Sequence, residues 1–124
     1  MRMLKVVALL APLLVSASGA VARSNYAPGS LDPYFTIDWK VVPGSTGQHI
    51  EGFVYNRFGH PADRMRLSIE ALDPTGQVVG RSTTWVLGGV PPNNRAWFTT
   101  PVPAAGAANY RVEILSFDWV GRGV

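Results

Sequence analysis

The chain contains no cysteine. That excludes a disulfide framework, a thiol nucleophile and the lipid anchor of a bacterial lipoprotein, which needs a cysteine at its cleavage site. Asn25, Asn56, Asn93, Asn94 and Asn109 all lack Ser or Thr two positions on, so there is no acceptor for N-glycosylation. His49 and His60 are the only histidines. A zinc site could use them with Glu51 or Asp63, but they read as surface residues, one at a strand start and one in a loop. No serine stands in a G-x-S-x-G elbow, and no glycine-rich loop has the form of a phosphate cradle. Gly88-Gly89 reads as a turn. These absences leave nothing to assign as catalytic, cofactor-binding or metal-ligating, and the chain is expected not to be an enzyme.

No apolar run reaches the roughly 20 residues that a spanning helix needs. What stands at the start is shorter and differently flanked. Arg2 and Lys5 precede an apolar run, Val6 to Val15, broken only by Pro12, and small residues then lead to Ala20-Val21-Ala22. A basic start, a short greasy run and an A-x-A site predict a signal peptide over 1–22, cleaved after Ala22 or Ala20. The protein is therefore expected to be periplasmic or secreted, with no stable membrane span after signal removal. The formal charge of +3 falls to +1 once Arg2 and Lys5 leave. The remaining arginines are scattered, so no nucleic-acid partner is expected.

Beyond the signal, the chain alternates. Residues 23–33, RSNYAPGSLDP, are rich in turn formers and read as a flexible mature N-terminus. In Tyr34 to Val42, Phe35, Ile37, Trp39 and Val41 share one face. Met65, Leu67, Ile69 and Ala71 alternate with Arg66, Ser68 and Glu70. Asp73-Pro74-Thr75-Gly76 then closes a hairpin, with Asp to start the turn, Pro to pre-set φ and Gly to end it. A second strand starts at Gln77 and runs to Trp85. His49 to Arg57, Arg95 to Pro101 and Tyr110 to Val120 complete the set. In the last, Val112 and Ile114 share a face while Leu115, Phe117 and Trp119 fall on the other; this predicts a bulge near Ser116 or a strand covered on both sides.

Strands spaced by turn chemistry, with no helical period, predict an all-β fold: a single antiparallel β-sandwich of about six to seven strands over 34–120, with a flexible tail at 121–124. Asp38, Glu51, Glu70, Glu113 and Asp118 alternate with apolar residues and read as solvated. With β-strand Met65–Asp73 beside Tyr110–Val120, Arg66 is expected near Glu113 and Glu70 near Arg111.

The order IEGFVYN, RLSIEALDPTGQVVG, PPNNRAWF, YRVEI resembles the bacterial FxLYD-type immunoglobulin-like module over Ile50 to Ile114. The matching positions are Gly52, Val54, Asn56, Asp73, Gly76, Val78, Val79, Pro92, Phe98 and Tyr110; Asn93-Asn94 stands where that family usually has Pro-Gly. The resemblance implies an immunoglobulin-like sandwich outside the cytoplasm and no established activity. It also implies that Ile50 and Val54 face inward. Phe53 and Tyr55 then face out beside Trp97, with Arg95 and Arg57 at the rim. This predicted partner-binding face leads to the expected function: an exported, non-enzymatic interaction module of the bacterial envelope, with an envelope protein as partner. The alternative is a carbohydrate-binding module whose aromatics stack on a glycan.

Overall fold

The structure, a computed structural model, describes residues 26–121. The expected signal peptide lies outside the described residues, as do 122–124. Six strands follow in order: β1 (Phe35–Val42), β2 (His49–Asn56), β3 (Ala62–Leu72), β4 (Val78–Val86), β5 (Asn94–Pro101) and β6 (Asn109–Trp119). They form two three-stranded sheets, β1-β2-β5 and β4-β3-β6, and every pairing is antiparallel. Setting β2 beside β5 and β3 beside β6 is the order expected of an immunoglobulin-like sandwich.

The alternating residues account for the assembly. Phe35, Ile50, Val54 and Phe98 come from one sheet, and Met65, Leu67, Ile69, Ala71, Val86, Tyr110 and Ile114 from the other; together they form one buried cluster. Removing such side chains from water is the main stabilising term, about 1.5–3 kcal/mol for each fully buried Leu or Ile. The β3–β4 hairpin turns where expected. The Gly76 N–H donates to the Asp73 carbonyl at 2.9 Å, and Gly76 sits at φ 87°. Asp73 Oδ1 accepts from the Thr75 hydroxyl at 2.7 Å and from the backbone N–H of Thr75 and of Gln77. The Thr75 hydroxyl and the Gln77 N–H together hold this exposed carboxyl below its usual range.

β3 begins at Ala62, three residues before its alternating run. Two register shifts explain why. Asp63 pairs with Asp118 and Arg66 with Ser116, so Arg64 and Met65 face Phe117 alone. Arg66 pairs with Ser116 and Leu67 with Ile114, leaving Leu115 as an extra residue in β6. That bulge turns Phe117 and Trp119 back to the side of Val112 and Ile114, where they pack on the core. Of the two readings the sequence left open, the bulge is the one found.

Residues 26–33, expected to be a flexible lead-in, form turns that pack on the sandwich. Tyr26 and Leu31 contact the core, the Tyr26 ring lies 5.6 Å from that of Phe117, and the Leu31 carbonyl accepts from the N–H of Tyr34 and of Phe35. The apolar anchors in a stretch of turn formers were the missed signal.

Glu70 also corrects the sequence reading. It lies on the outer face, yet its side chain is only 2% exposed. Arg111 donates to Oε1 through Nε at 2.8 Å and Nη2 at 2.6 Å, and Arg81 donates to Oε2 through Nε at 3.2 Å and Nη2 at 3.1 Å. The two guanidinium groups roof the carboxylate. Alternation marks which face a residue takes, not whether its neighbours cover it. The expected Glu70–Arg111 pair is present. The Arg66–Glu113 pair is not, because Glu113 stands opposite Ser68 while the bulge sets Arg66 opposite Ser116. Arg66 instead lies over the Trp85 ring, 5.1 Å from its centroid, and donates to Thr83.

Burial pushes the Glu70 carboxyl up, but hydrogen bonds and charge from Arg111 and then Arg81 outweigh it and hold the pKa below its ordinary 4.5. A depressed folded-state pKa gives stability that is present above the unfolded value and is lost as pH falls through the folded one. The urea midpoint of the native protein is therefore expected to drop on acidification below that ordinary value of 4.5. Glu70→Gln should flatten that acid limb; equal acid slopes in the two proteins would show that Glu70 does not supply it.

Candidate functional site

The outer face of the β1-β2-β5 sheet carries the predicted aromatic group, and the register shows how. Phe53 pairs with Trp97 across β2 and β5, and Tyr55 pairs with Arg95. Because side chains alternate along a strand, these four project from the same side. Ile50, Gly52, Val54 and Asn56 point the other way and are buried. The Phe53 and Trp97 rings meet edge to face, with centroids 5.4 Å apart and planes at 66°. Phe53 and Tyr55 stand 6.2 Å apart at 50°. Arg95 Cζ lies 4.2 Å from the centre of the Phe53 ring, within cation–π range. Trp97 is 48% exposed.

Arg57 belongs to the same side but is held differently. Its Nη1 donates to the Thr36 hydroxyl and its Nη2 to the Asp32 carbonyl. Thr36 is the β1 partner of Tyr55, so Arg57 borders the aromatic group from the β1 side. Its backbone is fixed too: its N–H donates to the Tyr34 carbonyl at 2.8 Å. Asn56, buried just before it, donates to the carbonyls of His60 and Val90 and accepts from the Phe58 N–H. This one side chain ties the end of β2 to two loops.

The structure thus brings Phe53, Tyr55, Trp97, Arg95 and Arg57 to one face. It adds a shallow cleft of about 480 Å³ lined by Tyr55, Asn56, Arg57, Asn93, Asn94 and Arg95. Asn93 takes φ 53°, and Asn94 Oδ1 accepts the Arg95 N–H at 2.8 Å. Asn93 and Asn94 were not singled out as site residues; Asn after Pro-Pro reads only as turn chemistry. The described N-terminal residues meet this face at Arg57, which donates to the Asp32 carbonyl. They also line a larger cleft, about 650 Å³, between the free edges of β1 and β6, and Arg57 stands between the two clefts.

Trp85 lies exposed on the opposite sheet, beneath Arg66. Among the described residues no group of three or more His, Asp and Glu side chains is placed to hold a metal ion. No helix among them is long and apolar enough to cross a membrane.

Fold and site define a class: an antiparallel β-sandwich presenting an aromatic and arginine face from one sheet. Comparison goes no further, for no protein-family profile, curated protein or solved structure matches the chain.

Proposed function

We propose that the chain is an exported, non-enzymatic, immunoglobulin-like interaction module of the bacterial envelope, periplasmic or secreted, that holds an envelope protein. The observation that carries this reading is the outward cluster of half-buried Phe53 and Tyr55 with exposed Trp97, and Arg95 stacked on it. Aromatic residues and arginine are the side chains most enriched where binding energy concentrates. The resemblance to FxLYD-type modules and the signal-like start support the extracytoplasmic setting. Ring orientation favours a protein over a glycan: a sugar stacks on coplanar platforms, whereas these planes are tilted by 66° and 50°.

The test is capture from the cell envelope. The Tyr55→Ser, Trp97→Ser double variant is expected to keep native circular dichroism and thermal midpoint, since both side chains lie outside the core, and to lose the partner retained by the parent. A folded double variant that still retains that partner would rule out this face.

A further inference from the structure

We infer that the cleft between Arg57 and Arg95 is an anion site, and that the partner segment it takes is an acidic peptide with apolar residues beside its carboxylates. The inference rests on the reading of this face as the partner site, and adds the chemistry of what binds.

The argument starts from how the arginines are compensated. Arg81 and Arg111 share Glu70, and Arg64 pairs with Asp118. Arg57 and Arg95 are different. Arg57 donates to a hydroxyl and a backbone carbonyl, both neutral, so its position is fixed, and among the described residues no carboxylate pairs with it. Arg95 lies on the Phe53 ring, and among the described residues no carboxylate pairs with it. A guanidinium stacked on a ring keeps its N–H donors at its edge, in the fork that fits a carboxylate.

The lining is the second observation. Tyr55, Asn56, Asn93 and Asn94 complete the cleft wall, and none is acidic. Two uncompensated cations therefore border one concavity with a phenol and amides between them. A ligand carboxylate fits there by charge, and the residue two positions along an extended segment, on the same face, reaches the Phe53–Trp97 ridge along the same strands. An apolar residue there completes the match. Acidic and apolar residues set two positions apart supply both groups on one face of one peptide.

The probe is a blocked peptide with glutamate and phenylalanine two positions apart and serine at the positions between, titrated into the chain as it accumulates in the cell and followed by amide chemical shifts. Its counterpart has every glutamate replaced by glutamine. Shifts are expected to centre on residues 53–57 and 93–97, affinity to weaken as salt rises, and the glutamine peptide to bind about tenfold more weakly or worse. Arg95→Glu should weaken the acidic peptide by about tenfold or more. Asn94→Asp is the second variant. It keeps the acceptor for the Arg95 N–H but places a carboxylate in the cleft wall, and it too should weaken binding.

No binding, equal binding of the two peptides, or unchanged affinity in both folded variants would each overturn the anion site. The envelope capture separates the two readings. If Tyr55→Ser, Trp97→Ser sheds the partner while Arg95→Glu and Asn94→Asp retain it, the face stands and the acidic chemistry falls. If every variant retains it, the face itself is wrong.

Discussion

Replacing Ile69 by alanine is expected to destabilise the protein by about 2–5 kcal/mol, the range for removing a large buried aliphatic side chain. Ile69 is fully buried and central in β3, paired with Ser82 on one side and Val112 on the other. β3 is the middle strand of its sheet. The lost methyl and methylene groups leave a void in the buried cluster that also holds Leu67, Phe98 and Ile114, and flanking backbone, held by ladders on both edges, cannot collapse to fill it. Such a loss is a large fraction of an ordinary domain's stability of roughly 5–15 kcal/mol. Urea denaturation should show a lower midpoint with an unchanged slope. A loss below about 1 kcal/mol, the smaller cost typical of a shortened but retained side chain, would mean that Ile69 is not enclosed as described.

Gly52→Ala is expected to be at least as harmful, by the opposite route. A Cβ on Gly52 would fall 2.7 Å from Trp39 Cα and closer still to the Asp38 carbonyl oxygen. Those are backbone atoms of β1, not the end of a flexible side chain, so β1 itself must move. The register depends on this approach, since Gly52 is the β1 partner of Trp39. Displacing β1 pulls Phe35 and Trp39 from their places over Trp119 and Tyr110. Overpacking commonly costs about 1–3 kcal/mol, and steric conflict with main chain places this case at or above the upper end. The thermal midpoint should fall by about 12 °C or more, at roughly 4–8 °C per kcal/mol for a domain of this size. Gly80→Ala is the control. Its nearest neighbours are the Ala104 methyl and the Pro103 carbonyl in the loop after β5, so it should perturb that loop and leave β1 in place. Equal midpoints for Gly52→Ala and the parent would show that β1 can shift freely.

The face of the candidate site was legible because period two is a backbone property. Once Ile50 and Val54 are taken as inward, Phe53 and Tyr55 must point out, and Trp97 and Arg95 must point out of β5 if Phe98 points in. What no alternation could reveal is how those side chains meet. Arg95 lies over Phe53, two residues along β2 from Tyr55, its register partner, and Arg57 turns toward Thr36 and the Asp32 carbonyl. The amide wall of the cleft joins the end of β2 to the start of β5, far apart in sequence.

The sequence by itself determined the all-β class, the turn at Asp73–Gly76, and the inward set Phe35, Leu67, Ile69, Phe98 and Ile114. Each follows from local chemistry: which dihedrals a residue tolerates, and which side of a pleat it occupies. Alternation left β2 open between two phases, and only the resemblance chose the one that turns Phe53 and Tyr55 outward. Tertiary structure alone decided three things. It buried Glu70, because Arg81 and Arg111 come from strands on either side and close over it. It kept Arg66 away from Glu113, because the register that pairs Glu70 with Arg111 sets Glu113 opposite Ser68, and the bulge at Leu115 sets Arg66 opposite Ser116. It docked Tyr26 and Leu31, because the core edge they cover is built by β1 and β6 from opposite ends of the described chain. In each case the deciding partner is distant in sequence, and its position depends on register and coverage, which only the assembled sheets define.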